Sequence, residues 1–337
     1  MDVSRGQAGK GQKEATTEGI AMTVFGYFLS SEEHRPEALL DQAVLAERAG
    51  FEGLWISDHF HPWLDVQGQS GFVWSVIGAL SQICELPITT AVTCPTIRIH
   101  PAIIAQAAAT AQILTKGRFR LGVGSGEALN EHILGGTWPA ADERQELLRE
   151  SIEVIRALFT GEQVTHRGRH YTVETARLYS LPVAPPPILI SGFGEKAIEL
   201  AAEVGDGFIS VQPEPDHVQL FRESGGGGKT AQGGLKVCWG PDEEKARQML
   251  HELWPNEGIP GEAAQLLPTP QHFAQLAELV QPEMLPHACG PDPEVHMKAI
   301  RQYVDAGFDE VYIAQVGPDQ EGFFDFYSTE VLPRLRS

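Results

Sequence analysis

Eight short apolar runs, each followed by a stretch of helical periodicity, constrain this chain more than any other feature. The runs are Thr23–Leu29, Gly53–Ser57, Pro87–Val92, Arg118–Gly124, Ile188–Ser191, Gly207–Val211, Leu235–Trp239 and Glu310–Ala314. They read as parallel strands covered on both faces. Helical stretches follow at 36–49, 72–84, 102–114, 142–159, 195–204, 242–253, 293–306 and 323–335. Pro36 suits a first helical turn, and Gly50 suits the residue just past a helix end. Such an α/β series without a topological break predicts a closed (β/α)8 TIM barrel rather than an open doubly wound sheet.

Two stretches interrupt the series. Gln163–Leu181 predicts a hairpin excursion turning at Gly168, and Pro255–Pro291 predicts an insertion with its own helix at Pro270–Val280. Residues 1–21 are polar, with little to bury, and are expected to form a disordered tail. The expected organisation is one barrel domain over residues 22–337, with the insertion around 255–291.

Composition narrows the function classes. The formal net charge is −20 across 337 residues, which disfavours nucleic acid and anionic membranes as partners. No uninterrupted apolar run approaches the ~18 residues of a membrane span. Cys84, Cys94, Cys238 and Cys289 form no CxxC pair, as expected of thiols in a reducing cytoplasm.

Chemistry concentrates where the second run ends, at Ser57-Asp58-His59-Phe60-His61-Pro62-Trp63. Barrel enzymes carry their reactive groups at strand C-termini. An acid, two imidazoles and an indole within six residues fit an acid/base histidine, His59, with Asp58 as candidate orienting partner and Trp63 as a flat wall. A His-x-His metal site would need further ligands at later strand ends. Ser191-Gly192, Val211-Gln212 and Ala314-Gln315 offer none, so no metal is expected. The fourth run ends in Gly124-Ser-Gly-Glu-Ala-Leu-Asn130. Its Glu127 could flank one ligand together with His59, one group taking a proton and the other giving one. Gly192 and Gly194 could admit a ligand close to the backbone.

These motifs, with Cys94-Pro95-Thr96, His100–Gln106 and Gly205-Asp206-Gly207-Phe208, resemble the luciferase-like flavin/deazaflavin superfamily. More narrowly, they are similar to the F420-dependent glucose-6-phosphate dehydrogenases, from about Thr23 to Leu335. The resemblance implies a bacterial luciferase-like barrel, a homodimer and coenzyme F420, with hydride passing between an alcohol and the deazaflavin. It implies His59 as the base, Glu127 as a proton donor and Trp63 as a stabilising wall. Cofactor contacts would come from Asp58, Val92, Cys94, Gly126, Asn130, Gly192 and Gly194, with a non-prolyl cis peptide at Ala91-Val92 supporting the ring. FMN, in a monooxygenase, is the alternative cofactor, and a non-catalytic flavin or deazaflavin carrier is the alternative of another class.

The chain departs from the glucose-6-phosphate pattern in one respect. The stretches aligned with the phosphate site are Gln212-Pro213-Glu214, Pro282–His287 and Asp319-Gln320-Glu321, and they hold no Lys or Arg. A phosphate needs cations. An uncharged alcohol, or a sugar phosphate held by Arg222, Lys229 or Lys236, are the open alternatives.

Overall fold

A computed structural model describes residues 23–337; the expected tail at 1–21 lies outside the described residues. The strands in chain order are β1 (Val24–Leu29), β2 (Leu54–Ile56), β3 (Ile88–Thr90), β4 (Phe119–Val123), β5 (Val164–Arg167), β6 (Thr172–Ala176), β7 (Ile188–Ser191), β8 (Gly207–Ser210), β9 (Thr230–Cys238), β10 (Ala288–Cys289) and β11 (Glu310–Gln315). Eight of them close a parallel ring, β1-β2-β3-β4-β7-β8-β9-β11, in which β11 pairs back onto β1. The barrel expected from the alternation is present.

Local chemistry explains the framing helices. Pro36 and Pro101 begin the helices Pro36–Ala49 and Pro101–Leu114, where a missing N–H costs nothing. Gly50 closes the first of these with φ 88°, a left-handed conformation that favours glycine. The expected hairpin is β5–β6, turning at Gly168. Its neighbour Tyr171 donates to the Thr96 carbonyl at 2.8 Å and pins the loop after β3.

Three boundaries differ from expectation. The seventh barrel strand starts at Thr230, not Leu235. Gly233 and Gly234 conceal it, because strand-poor glycines interrupt the apolar pattern. Both are required by packing: a Cβ on Gly234 would lie 2.1 Å from the Trp55 ring, and one on Gly233 would lie 2.5 Å from the Tyr303 ring. The helix expected over 323–335 changes its hydrogen-bond pattern to a π turn at Tyr327–Val331. The insertion helix ends at Ala277 rather than Val280 and is joined by the short strand β10, which extends the edge of β9.

The barrel interior follows from strand alternation. Trp55 and Tyr312 stack across it, centroids 4.7 Å apart and planes 8° from parallel. Phe28, Leu189, Ile209 and Ala314 pack around them. The interior is therefore a filled core with its chemistry displaced to one end.

Candidate active site

His59 stands just beyond β2 with its two ring nitrogens in different surroundings. Nε2 faces two carboxylates, Glu32 Oε1 at 3.3 Å and Glu127 Oε1 at 3.5 Å. Nδ1 lies 3.2 Å from the His61 carbonyl and 3.0 Å from Asn130 Nδ2. The carbonyl serves the tautomer with a proton on Nδ1, and the amide serves the one without. Either state therefore has a partner, which suits a ring that gains and loses a proton.

Asn130 is the hub of this arrangement. Its Oδ1 accepts from the backbone N–H of Phe60 at 2.8 Å and His61 at 3.0 Å, which fixes the amide orientation. Its Nδ2 then donates to Glu127 Oε1 at 2.6 Å. One side chain thus ties the loop after β2 to the loop after β4. His61 is turned away: its Nδ1 pairs with the Leu129 carbonyl and its ring stacks on His132.

The expectation that Asp58 orients His59 is corrected. Its carboxylate is buried, accepts from Thr93 Oγ1, and pairs with Arg98 at 2.9 Å. Successive side chains of an extended segment point to opposite sides, so Asp58 and His59 diverge. The residue that does face His59 is Glu32, at the end of β1, a position given no role from sequence. Its only sequence signal is an acid three residues past a barrel strand. Burial works to raise the Glu32 carboxyl, but His59, the Ser57 hydroxyl at 2.7 Å and Lys236 outweigh it and hold it below the ordinary carboxylate range.

A carboxylate–guanidinium group lies behind the imidazole. Arg98 bridges Asp58 and Glu131, and Glu131 also accepts from the backbone N–H of Arg98 at 2.7 Å and of Ile97 at 3.1 Å. Burial nevertheless pushes the Glu131 carboxyl up to about 6. Cys94 is buried beside this group, its thiol raised well above normal chiefly by burial and then by the neighbouring carboxylates.

The remaining expected residues form the surroundings. Trp63 tilts against His59, centroids 5.0 Å apart, and is braced by Phe273 of the insertion. The Ala91-Val92 peptide is cis. Both residues pack on the barrel interior yet keep part of their surface exposed at the mouth. Gly126 has φ 88° and brings the chain past Glu131 and Trp138, whose buried Nε1 has no partner. Gly192 is small for a different reason than expected, since a Cβ there would lie 3.0 Å from the Ala197 backbone of the following helix. Gly194 faces open space at the start of that helix, Glu195–Val204.

The two other cations considered for a phosphate lie at the opposite end. Arg222 pairs with Asp309, and Lys229 donates to the Ala202 carbonyl; both precede β9. Lys236 alone of the three lies toward the mouth. Among the described residues no three His, Cys, Asp or Glu side chains gather in a metal-holding cluster, and no helix is long and apolar enough to cross a membrane.

Residues 19–310 match the family model described as luciferase-like monooxygenase. The chain is 37% identical to an F420-dependent glucose-6-phosphate dehydrogenase of Microbacterium testaceum, covering 93% of this chain and 97% of that protein. It is 34% identical to an F420-dependent hydroxymycolic acid dehydrogenase of Mycobacterium tuberculosis, covering 92% and 88%. The structure superposes on an F420-dependent secondary alcohol dehydrogenase, solved with an F420-acetone adduct, with a TM-score of 0.88 at 32% identity, covering 94% of this chain and all of that one.

Proposed function

The chain belongs to the luciferase-like monooxygenase family, and within it we propose an F420-dependent dehydrogenase that moves hydride between an alcohol carbon and the deazaflavin. The observation that carries this reading is His59 Nε2 held between Glu32 and Glu127 at the barrel mouth. Relatives named as F420-dependent dehydrogenases over nearly the whole chain support the cofactor and the reaction type.

The residues fit the cofactor. A flat ring with polar edges needs an apolar bed, and the partly exposed Ala91-Val92 bulge offers one. Donors are available at the rim: the unpartnered Trp138 Nε1, the Gly126 backbone and the open backbone at Gly194. Bound there, coenzyme F420 would supply a hydride acceptor.

The chain's own groups supply the rest. His59 Nε2 takes the hydroxyl proton as the alcohol carbon loses its hydride, so no protonated carbonyl forms. The imidazolium so created lies beside Glu32, a carboxylate kept ionised, which stabilises the new charge. Glu127, the more exposed of the two carboxyls, is placed to pass a proton at the rim. Asn130 holds His59 and Glu127 in mutual register, and Trp63 shields them from bulk water. Asp58 acts at one remove, through Thr93 and Arg98, by fixing the loop around Cys94.

The reading extends to organisation. The domain expected over 22–337 is, across the described residues 23–337, one barrel whose insertion at 255–291 packs on the loop that carries His59 and Trp63. The protein is a cytoplasmic homodimer. Four buried, unpaired cysteines support a reducing compartment. An apolar groove on the outer face, lined by Phe72, Trp74, Ile99, Ile103 and Leu114, supports self-association. Light scattering should return twice the chain mass.

The test is a titration of the purified protein with oxidised F420 and, separately, with FMN, followed by addition of secondary alcohols. Tight F420 binding and alcohol-dependent loss of its absorbance are expected. Preference for FMN with oxygen uptake would assign a monooxygenase instead. Binding without turnover of any alcohol would assign a carrier.

A further inference from the structure

Strand alternation puts Gln232, Gly234 and Lys236 of β9 on the face that looks into the barrel. Lys236 is the last of them and the nearest to the mouth. Its ammonium lies over the Trp254 ring at 4.2 Å and 5.7 Å from the Phe28 centroid. Beside it, where β8 stops short and β9 runs on, a cleft of about 220 Å³ opens between Val211, Pro213 and Leu235 on one side and Pro286 and His287 on the other.

Among the described residues, Lys236 is the only Lys or Arg lining this cleft. It is not available to an anion. Its Nζ is 2.8 Å from Glu257 Oε1, and the other oxygen of Glu257 is 3.4 Å from His287 Nε2. Lysine and glutamate cancel as charges, and Glu32, which also faces Lys236, is a further carboxylate on this side. His287 has a second feature: its Nδ1 is buried and without a partner. With Nε2 turned to Glu257, Nδ1 is left without a partner on a residue that lines the cleft.

We propose that Glu257 sets the substrate class: by engaging Lys236 it removes the cleft's one cation, and the substrate taken there is an uncharged alcohol bearing a second hydroxyl, which His287 Nδ1 accepts. This rests on the dehydrogenase reading for the reaction but not for the cleft. A phosphorylated or carboxylated substrate would have to break the Lys236–Glu257 pair and sit beside the freed carboxylate. A diol loses less on entering, since its apolar skeleton meets Phe28, Val211, Pro213 and Leu235.

The test measures binding to the protein by calorimetry or tryptophan fluorescence, with cyclohexane-1,2-diol, glucose 6-phosphate and inorganic phosphate as probes. The wild type should bind the diol more tightly than either phosphate. Glu257→Gln, which frees Lys236, should tighten both phosphates at least about tenfold. A second Lys236→Met change in that background should abolish the gain, which separates a freed cation from a loosened fold. His287→Phe should weaken the diol and leave the phosphates unchanged. Wild type that binds glucose 6-phosphate more tightly than the diol, or phosphate affinity indifferent to Glu257→Gln, overturns the proposal. F420 titrated on the same samples separates the two readings: loss of F420 binding with the cleft pattern intact would sink the cofactor assignment alone.

Discussion

The two ends of the barrel interior hold the same kinds of side chain in opposite balance. At the N-terminal end, Arg120 donates to both oxygens of Glu310 at 2.7 and 2.8 Å. Gln232 donates to Glu310 at 2.8 Å and accepts from Trp55 Nε1 at 2.8 Å, and the Tyr312 hydroxyl donates to Glu310 at 2.7 Å. One cation meets one anion, and the network closes on itself. At the C-terminal end, Glu32, Asp58, Glu127 and Glu131 share one imidazole and one guanidinium, while Lys236, the further cation that acts on Glu32, is engaged by Glu257. A closed network contributes specificity of packing. Acidic excess costs stability and is retained where it performs chemistry. The same barrel thus separates a structural end from a reactive one by charge balance alone.

That contrast can be broken most severely at the closed end. Glu310→Ala leaves Arg120, Gln232 and Tyr312 without their common acceptor. It is expected to cost about 3 kcal/mol in unfolding free energy, read by urea denaturation, with turnover per folded molecule unchanged. Comparable loss of turnover would mean that the two ends are coupled.

Glu131 gives the next largest effect, with a sign that depends on pH. Burial raises its carboxyl from an ordinary 4.5 to about 6, so the folded state holds the proton more tightly. Its stabilising contribution is complete below pH 4.5 and is lost as pH rises through 6. Relative to Glu131→Gln, the wild type should therefore lose about 2 kcal/mol from well below pH 4.5 to well above pH 6, measured as paired denaturation curves. A difference independent of pH would remove Glu131 from the strained end.

Glu32→Gln sharpens the comparison on the catalytic side. It keeps acceptors for Ser30 and Ser57 but removes the charge facing His59 Nε2. Hydride transfer should slow roughly tenfold, by loss of about 1.4 kcal/mol of charge stabilisation, with stability unchanged or increased. An unaltered rate would reduce Glu32 to a loop anchor.

What could be read from sequence follows the same division. The barrel was legible because buried parallel strands leave apolar runs. His59 and Glu127 stood out as chemistry-bearing residues at strand ends, whereas Asn130, expected only as a cofactor contact by resemblance, gave no sign that it would link them. β9 was partly hidden because Gly234 on its inner face makes room for Trp55 and Gly233 on its outer face makes room for Tyr303. Glu32 was missed because its partners arrive from the end of β2 and from β9, and one acid in Ser30-Ser31-Glu32-Glu33 carries no spacing signal. Asp58 was given the wrong neighbour because adjacency in sequence is not adjacency of side chains. Arg98, the cation that pairs with it, lies 40 residues further on.

The central claim is that His59 accepts the alcohol's proton as hydride departs. The direct measurement is single-turnover reduction of F420 by a secondary alcohol in His59→Ala, with F420 affinity titrated on the same sample. The account requires affinity within a few-fold of wild type and reduction slower by about 100-fold or more. Reduction at the wild-type rate with F420 bound normally would contradict it.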